Sequence, residues 1–314
     1  MIKTINLKKK ETDYVYSDDE WDNSKTEKFL LDFFDKPQSK KNEEIEALLA
    51  EGQSWPKIVH LSPERHALLN WYDFEQDASL LEIGGGLGAL SHIFLEKVKN
   101  VTINELSEIR AEVIKKRFSD KKFELVIGDI RKYEAEEKFD YITLIGVLEY
   151  VALSDSEADY INSYVNFLES VSKMLKKGGK ILIAIENKIG MKYLTGGKED
   201  HIEDKYFSSI EEYPNFKKEK VRTFSKSELE SVITDAGFSK TKFYYPYPDY
   251  KLPKVILTDY AVQKLRLESS SFATNSDQAN KPTELYNEVM LAKTLLKDKT
   301  INNFSNSFLV EITK

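Results

Sequence analysis

Cysteine is absent from the 314 residues. That one absence excludes disulfides, thiolate metal sites and cysteine nucleophiles together. Long apolar runs are missing as well: nothing approaches 18 consecutive apolar residues, so no membrane-spanning helix is expected. The opening Met1-Ile2-Lys3-Thr4-Ile5-Asn6-Leu7-Lys8-Lys9-Lys10 lacks the apolar core of a secretory signal. Positive charge is also short. The 46 Lys and Arg against 53 Asp and Glu leave a net charge of −7, which argues against general nucleic-acid binding, because neutralising phosphates takes a basic face. Histidine is rare, four in all, so imidazole chemistry is confined to His60, His66, His92 and His201. What is present, 41% apolar and 32% charged residues, is ordinary for a globular protein with a core. The expectation is a soluble, cytoplasmic protein of one large domain with insertions.

The chain is organised around Leu80-Leu81-Glu82-Ile83-Gly84-Gly85-Gly86-Leu87-Gly88-Ala89-Leu90. An apolar run, an acidic residue, a glycine cluster and a helical pattern read as strand, tight turn and helix start. Glycines there admit positive φ and let a ligand approach the main chain, as expected at the carboxyl end of a strand that binds a nucleotide-like cofactor. Gly84-x-Gly86-x-x-Ala89 satisfies a dinucleotide fingerprint, so glycine spacing leaves an NAD-linked enzyme open.

From Ala78 strands and helices alternate. Strands are expected at Ser79–Ile83, Val101–Ile103, Phe123–Ile127, Tyr141–Ile145 and Lys180–Ile185, then Thr241–Tyr245 and Ser307–Ile312. The predicted fold is α/β: a doubly wound, mostly parallel, seven-stranded sheet with helices on both faces. Lys176-Lys177-Gly178-Gly179 is expected to end the long helix before the fifth strand. Residues 1–25 read as a polar arm or frayed terminus, with helices near Phe29–Phe34 and Glu43–Glu51, the latter stopped by Gly52. Ser62 is an expected N-cap with Pro63 at the first position of a helix to about Trp71. The predicted organisation is a helical arm over 1–55, a cofactor-binding core over 56–245 plus 305–314 with a cap loop at 188–222, and a lid over 246–304.

Acidic residues close four strands: Glu82, Glu105, Asp129 and Glu149. Glu105 suits a ribose diol, and Asp129 suits an adenine amine. With Glu82-x-Gly84-x-Gly86-x-Gly88, this pattern resembles the class I methyltransferases that use S-adenosylmethionine. His60-Leu61-Ser62-Pro63, Leu144–Tyr150, Ile185-Glu186-Asn187-Lys188, Glu199-Asp200-His201, Arg222-Thr223-Phe224-Ser225, Tyr244–Pro253 and Phe304–Leu309 are similar to bacterial methyltransferases associated with glycosyltransferases in surface-polysaccharide biosynthesis. The resemblance implies S-adenosylmethionine as cofactor, a Rossmann-like fold and O-methylation of a sugar in a glycan or glycan precursor, with a glycosyltransferase as an associated protein. The cofactor residues are then Glu82, Gly84, Gly85, Gly86, Gly88, Glu105, Leu106, Gly128, Asp129, Ile130, Gly146 and Val147, with His60 and Arg65 from the segment before the sheet. Other readings are a methyltransferase for a small molecule or protein, and a non-catalytic cofactor-binding subunit of a glycosyltransferase assembly.

An alcohol acceptor must lose a proton to a base in hydrogen-bond reach. His201, with Glu199 and Asp200 beside it, is the first candidate, followed by Glu149 and Asp249. Glu149 with Glu186 and Asn187 offers oxygen ligands for Mg²⁺ as an alternative, although the expected enzyme needs no metal. Tyr244–Pro253 offers flat aromatic faces for a sugar ring, or else a hydrophobic plug.

Overall fold

The computed structural model describes residues 1–7, 23–51, 55–154, 160–197, 199, 201, 221–264 and 287–314. The expectations at Gly52, at Asp200 and over 202–220 and 265–286 lie outside these residues. Two compact units result: Met1–Thr143 with Lys173–Gly179, and Leu144–Ser172 with Lys180–Lys314.

In the first unit, β1 (Ile2–Asn6), β2 (Ser79–Ile83), β3 (Asn100–Glu105) and β4 (Phe123–Ile127) lie in the order β1-β4-β3-β2, followed by β5 (Phe139–Ile145). The pairs β1–β4, β3–β4 and β2–β3 are parallel, with Leu81 opposite Thr102 and Ile103 opposite Leu125. β3 and β4 step away from β2 on one side and β5 lies on the other. The strand order therefore reverses at β2, the place where open α/β sheets bind ligands off the strand ends. Ser79 and Asp140 tie β2 to β5: Ser79 N and Oγ donate to Asp140 Oδ2 at 2.8 and 2.9 Å. Leu80, Leu81, Ile103, Leu125, Val126 and Ile142 are fully buried. Such near-continuous apolar strands are typical of a parallel sheet covered on both faces.

Helices α1 (Asn23–Phe34), α2 (Gln38–Glu51) and α3 (Trp55–Leu61) precede β2, and α4 (Ser91–Lys97) and α5 (Glu108–Arg117) lie within the alternation. Leu30 and Phe33 of α1 pack with Leu61, Val113 of α5 and Leu87 of the glycine turn. Buried Glu27 accepts from Arg110 Nε at 2.7 Å. The helical arm is thus anchored to α5 by an apolar stripe and an ion pair, and it rests on the turn after β2. Ser62 accepts from Glu64 N as an N-cap, but the turn it starts is a short 3₁₀ segment, Pro63–Leu68, rather than a helix to Trp71.

The second unit holds the part of β6 (Leu175–Glu186) from Lys180 on, with β7 (Lys240–Tyr247), β8 (Val255–Thr258) and β9 (Ser307–Thr313), in the order β6-β9-β7-β8. β9 is antiparallel to both β6 and β7, and β7 is antiparallel to β8. Helices α6 (Tyr160–Lys173), α7 (Met191–Leu194), α8 (Lys226–Asp235), α9 (Asp259–Lys264) and α10 (Glu288–Lys297) complete it. Ser225 and Glu228 close α8 with the expected capping box.

Nine strands are described where seven were expected. The additional two are the short β1 and β8. Residues 2–6, taken for part of a frayed arm, pair along β4, with Ile2 opposite Phe123 and Asn6 opposite Ile127. Residues 255–258, placed in a lid, pair with β7. The glycine pair at 178–179 does not end the long helix either. That helix stops at Lys173, and the pair lies inside β6, where Gly178 takes φ of 79° and Gly179 packs against the Asp140 carbonyl.

Candidate active site

The glycine turn is shaped by its neighbours in the first unit. Gly84 and Gly85 N–H both donate to the Asn104 carbonyl, at 3.0 and 2.9 Å, and Gly88 N–H donates back to Gly85. Gly84, Gly86 and Gly88 have φ of 75°, 56° and 77°, values that side chains rarely adopt. Two glycines serve different ends. A Cβ on Gly85 would stand 2.5 Å from Ile103 Cγ2, whereas one on Gly86 would meet nothing within 4 Å. Gly85 is needed for packing; Gly86 leaves an open approach to the main chain.

Glu105 ends β3 and is buried. Its carboxylate accepts from Gly86 N at 2.7 Å and Ser107 N at 2.8 Å. Burial pushes its pKa up, against the pull of Arg110 and the Ser107, Gly86 and Leu106 amides. Glu105 thus holds the turn, a role spacing alone did not reveal. Asn104 beside it bridges to Val126 O and Gly128 O at 3.1 and 2.8 Å. Gly128 has φ of 122°. Asp129 caps the 3₁₀ turn Ile130–Lys132 and pairs with Arg131 at 2.7 Å, with Ile130 buried behind it. The pairing engages the carboxylate expected to meet an adenine amine, but a carboxylate has about four acceptor positions.

Glu82, the penultimate residue of β2, is buried and accepts from Ser91 Oγ at 2.6 Å. Burial raises its pKa to about 7 despite that bond. The folded protein therefore keeps a proton that an unfolded chain releases near the ordinary value of 4.5. Between those values the native state binds more protons, so this group makes stability fall as pH rises. Glu82→Gln is expected to flatten the loss of denaturation midpoint between pH 5 and pH 8. An unchanged slope contradicts the assignment.

Two of the four histidines lie against each other. His66 and His92 stack at 4.9 Å, and His92 pairs with Glu96. His60, the penultimate residue of α3, is different. Its Nδ1 is buried without a hydrogen-bond partner among the described residues. Burial, then Arg65, Arg117 and Arg110, drives its pKa down to about 3, so the ring is neutral. Arg65 is itself buried, and Arg117 Nη1 donates to the carbonyls of both His60 and Leu87 at 3.0 Å.

In the second unit, Gly146 follows the end of β5 with φ of 69°, and its N–H donates to Ala184 O. A Cβ there would stand 2.8 Å from Tyr250 Oη. Three residues on, Glu149 meets Glu186 from the end of β6 and His201: one ligand atom of each lies within 4.8 Å of the others. Glu149 and Glu186 are each 1% exposed. Burial and then the Glu186 charge push the Glu149 pKa up to about 8. For His201, burial works downward, but the charge and hydrogen bond of Glu199, with Glu186 and Glu149 behind them, prevail and raise its pKa to about 9. Glu199 grips His201 twice, at the backbone N–H (2.6 Å) and at Nδ1 (3.1 Å). Lys251 Nζ donates to Glu186 Oε1. Held near 9, the imidazole is a cation at neutral pH; it accepts a proton only after that one has left.

Other candidates have backbone partners of their own. Asp249 Oδ1 accepts from Lys251 N and Leu252 N at 2.7 and 3.3 Å, which shapes a turn. Asn187 donates to Asn303 O and Ser305 O and accepts from Ile189 N, so its amide ties loops together. Tyr244, Tyr245, Tyr247 and Tyr250 are all buried. They form a plug and not a flat platform for a ring. Lys251, hidden in that aromatic run, is the charged residue that spacing did not reveal.

A family model described as a methyltransferase domain matches residues 57–242. The chain is 27% identical over 124 residues to the malonyl-[acyl-carrier protein] O-methyltransferase of Priestia megaterium, over 38% of this chain and 42% of that one. It is 32% identical over 107 residues to ribosomal RNA small subunit methyltransferase A of Malacoplasma penetrans, over 33% of this chain and 38% of that one. The chain thus spans less than half the length of either curated relative. A solved structure from Thermotoga maritima, described as a SAM-dependent methyltransferase and possible histamine N-methyltransferase, shares 19% identity, with 86% of this chain and 97% of that chain covered at a TM-score of 0.46. The ribosomal RNA enzyme leaves the charge-based exclusion of nucleic acid without support. No helix among the described residues is long and apolar enough to cross a membrane.

Proposed function

The chain belongs to the methyltransferase-domain family, and from that premise we propose that it methylates a sugar hydroxyl in a cell-surface glycan or its precursor, beside a glycosyltransferase. The methyl donor is S-adenosylmethionine, which when bound supplies an activated methyl on a sulfonium, so the protein's task is mainly positioning. The first unit has the groups for that donor. The open side of Gly86 admits a ligand to the main chain, Glu105 has acceptor positions for a ribose diol, and Asp129 with Ile130 suits an adenine edge and face. His60, with an unpartnered buried Nδ1, and Arg65 suit the polar methionine end.

The observation that carries the O-methyl reading is the Glu149–Glu186–His201 cluster. A hydroxyl acceptor has to give up its proton as the carbon–oxygen bond forms. Titratable side chains gathered in the interior are costly, and clefts with such shifted groups are where chemistry is found. The sugar itself is supported by the resemblance of the segments from His60 to Leu309. Full-length protein given methyl-labelled donor and a panel of nucleotide sugars, oligosaccharides, acyl-carrier protein and ribosomal RNA tests this. Label entering the sugar class alone is the expected result. Label in protein or RNA overturns it, and donor binding with no transfer to any acceptor favours a non-catalytic subunit.

Glu105→Ala should weaken S-adenosylhomocysteine binding by a few kcal/mol at most, the worth of charge-assisted hydrogen bonds. Titration calorimetry reads this directly, and unchanged affinity removes Glu105 from the donor site.

A further inference from the structure

We propose that Glu149, Glu186 and His201 form a binding site for a divalent first-row cation of the Mn²⁺ class. The site does not depend on which acceptor is used; the role given to it, holding the acceptor hydroxyl, rests on the sugar reading above.

Four observations converge. First, the spacing fits. Ligand atoms about 2.0–2.2 Å from one ion stand up to roughly 4.4 Å apart, and these three lie within 4.8 Å of one another. A small contraction completes the set. Second, Glu149 is 1% exposed, and its Oε2 is buried with no hydrogen-bond partner among the described residues. A buried carboxylate oxygen left in that state is costly, and a cation satisfies it. Third, the imidazole is oriented as metal-binding imidazoles are. Glu199 occupies Nδ1 at 3.1 Å, which leaves Nε2 as the ligand nitrogen, and a carboxylate behind the ring fixes its orientation and strengthens it as a ligand. Fourth, Glu149 and Glu186 bring two carboxylates together in the interior, a pairing that a divalent cation neutralises.

The donor set selects the class. No thiolate is available in a chain without cysteine. Two carboxylates suit hard cations, while an imidazole suits transition metals; Mg²⁺ prefers oxygen and its own waters. Three protein ligands leave coordination positions for oxygens of an acceptor, and an ion there lowers the pKa of a bound hydroxyl.

Electron paramagnetic resonance of full-length protein titrated with MnCl₂, without donor or acceptor, tests the site. One saturable Mn²⁺ per chain is expected, with pulsed spectra showing a directly coordinated nitrogen. Glu199→Gln should weaken Mn²⁺ by about 10–100-fold, the usual effect of losing such an outer partner, while Glu149→Gln and His201→Ala should abolish binding. A free-ion signal throughout, or saturable binding with no nitrogen coupling, overturns the proposal, and the wild-type spectra decide even if a variant fails to fold. S-adenosylhomocysteine calorimetry on the same samples keeps the two readings apart. Loss of that binding counts against the methyl-transfer account alone, and loss of Mn²⁺ binding counts against the cation site alone.

Discussion

Replacing His201 with alanine is expected to lower turnover on the true acceptor by about 10²-fold or more, the scale of removing a group that handles the reacting proton, while S-adenosylhomocysteine binds as before. The separation follows from the part proposed for each residue: His201 is gathered with Glu149 and Glu186, whereas Glu105 fastens the glycine turn. The imidazole acts through its neighbours. Glu199 holds Nδ1 and the backbone N–H, and the surrounding carboxylates hold the ring's pKa near 9. Steady-state kinetics beside calorimetry reads both quantities. Normal turnover in the variant removes His201 from the mechanism and leaves Glu149 to be tested next. A fall in turnover that MnCl₂ restores in Glu199→Gln, but not in His201→Ala, points to ligation of a cation by the ring.

Gly86→Val is expected to abolish donor binding in a chain that still folds. At φ of 56° a β-branched residue carries about 1–3 kcal/mol of backbone strain. Its side chain also projects where nothing lies within 4 Å, the approach a cofactor needs. Gly85→Ala provides the contrast. Its methyl would meet Ile103 and Ile114, so it should cost about 1–3 kcal/mol of stability through overpacking and affect binding less. Circular dichroism melts and calorimetry on both variants separate the effects. Equal cofactor affinity in Gly86→Val and wild type contradicts the account of the turn.

The parts legible in the sequence were those whose physics is local. β2 and its turn could be read because Leu80 and Leu81 form a buried run and the following glycines are needed at positive φ. The capping box at Ser225 and Glu228 could be read because both partners lie within one turn. The extra strands could not. β1 has only two apolar residues in Ile2–Asn6, and its partner β4 lies more than a hundred residues on. β8 is four residues long and follows a proline-rich stretch that reads as irregular. Gly178 and Gly179 have the composition of a helix stop, yet the close approach of Gly179 to Asp140 depends on tertiary contact.

The same distinction runs through the site. Glu82, Glu105, Asp129 and Glu149 were visible as acidic strand ends, and Glu199 and His201 as neighbours in sequence. That Glu105 also fastens Gly86 was not, because it needs the relative height of two strands. Glu149 and Glu186 were paired from the sequence, but that His201 joins them was not legible, because the three come from separate segments. For a related reason the sequence left open whether the tyrosines of Tyr244–Tyr250 form a platform or a plug. Composition marks aromatic surface but not the side it faces, and here it faces the interior.

The measurement that bears most directly on the central claim is calorimetry of the full-length protein with S-adenosylhomocysteine and, separately, with NAD. The account predicts one S-adenosylhomocysteine per chain, weakened by Glu105→Ala and lost in Gly86→Val, with no heat from NAD. Binding of NAD with no response to S-adenosylhomocysteine would contradict it.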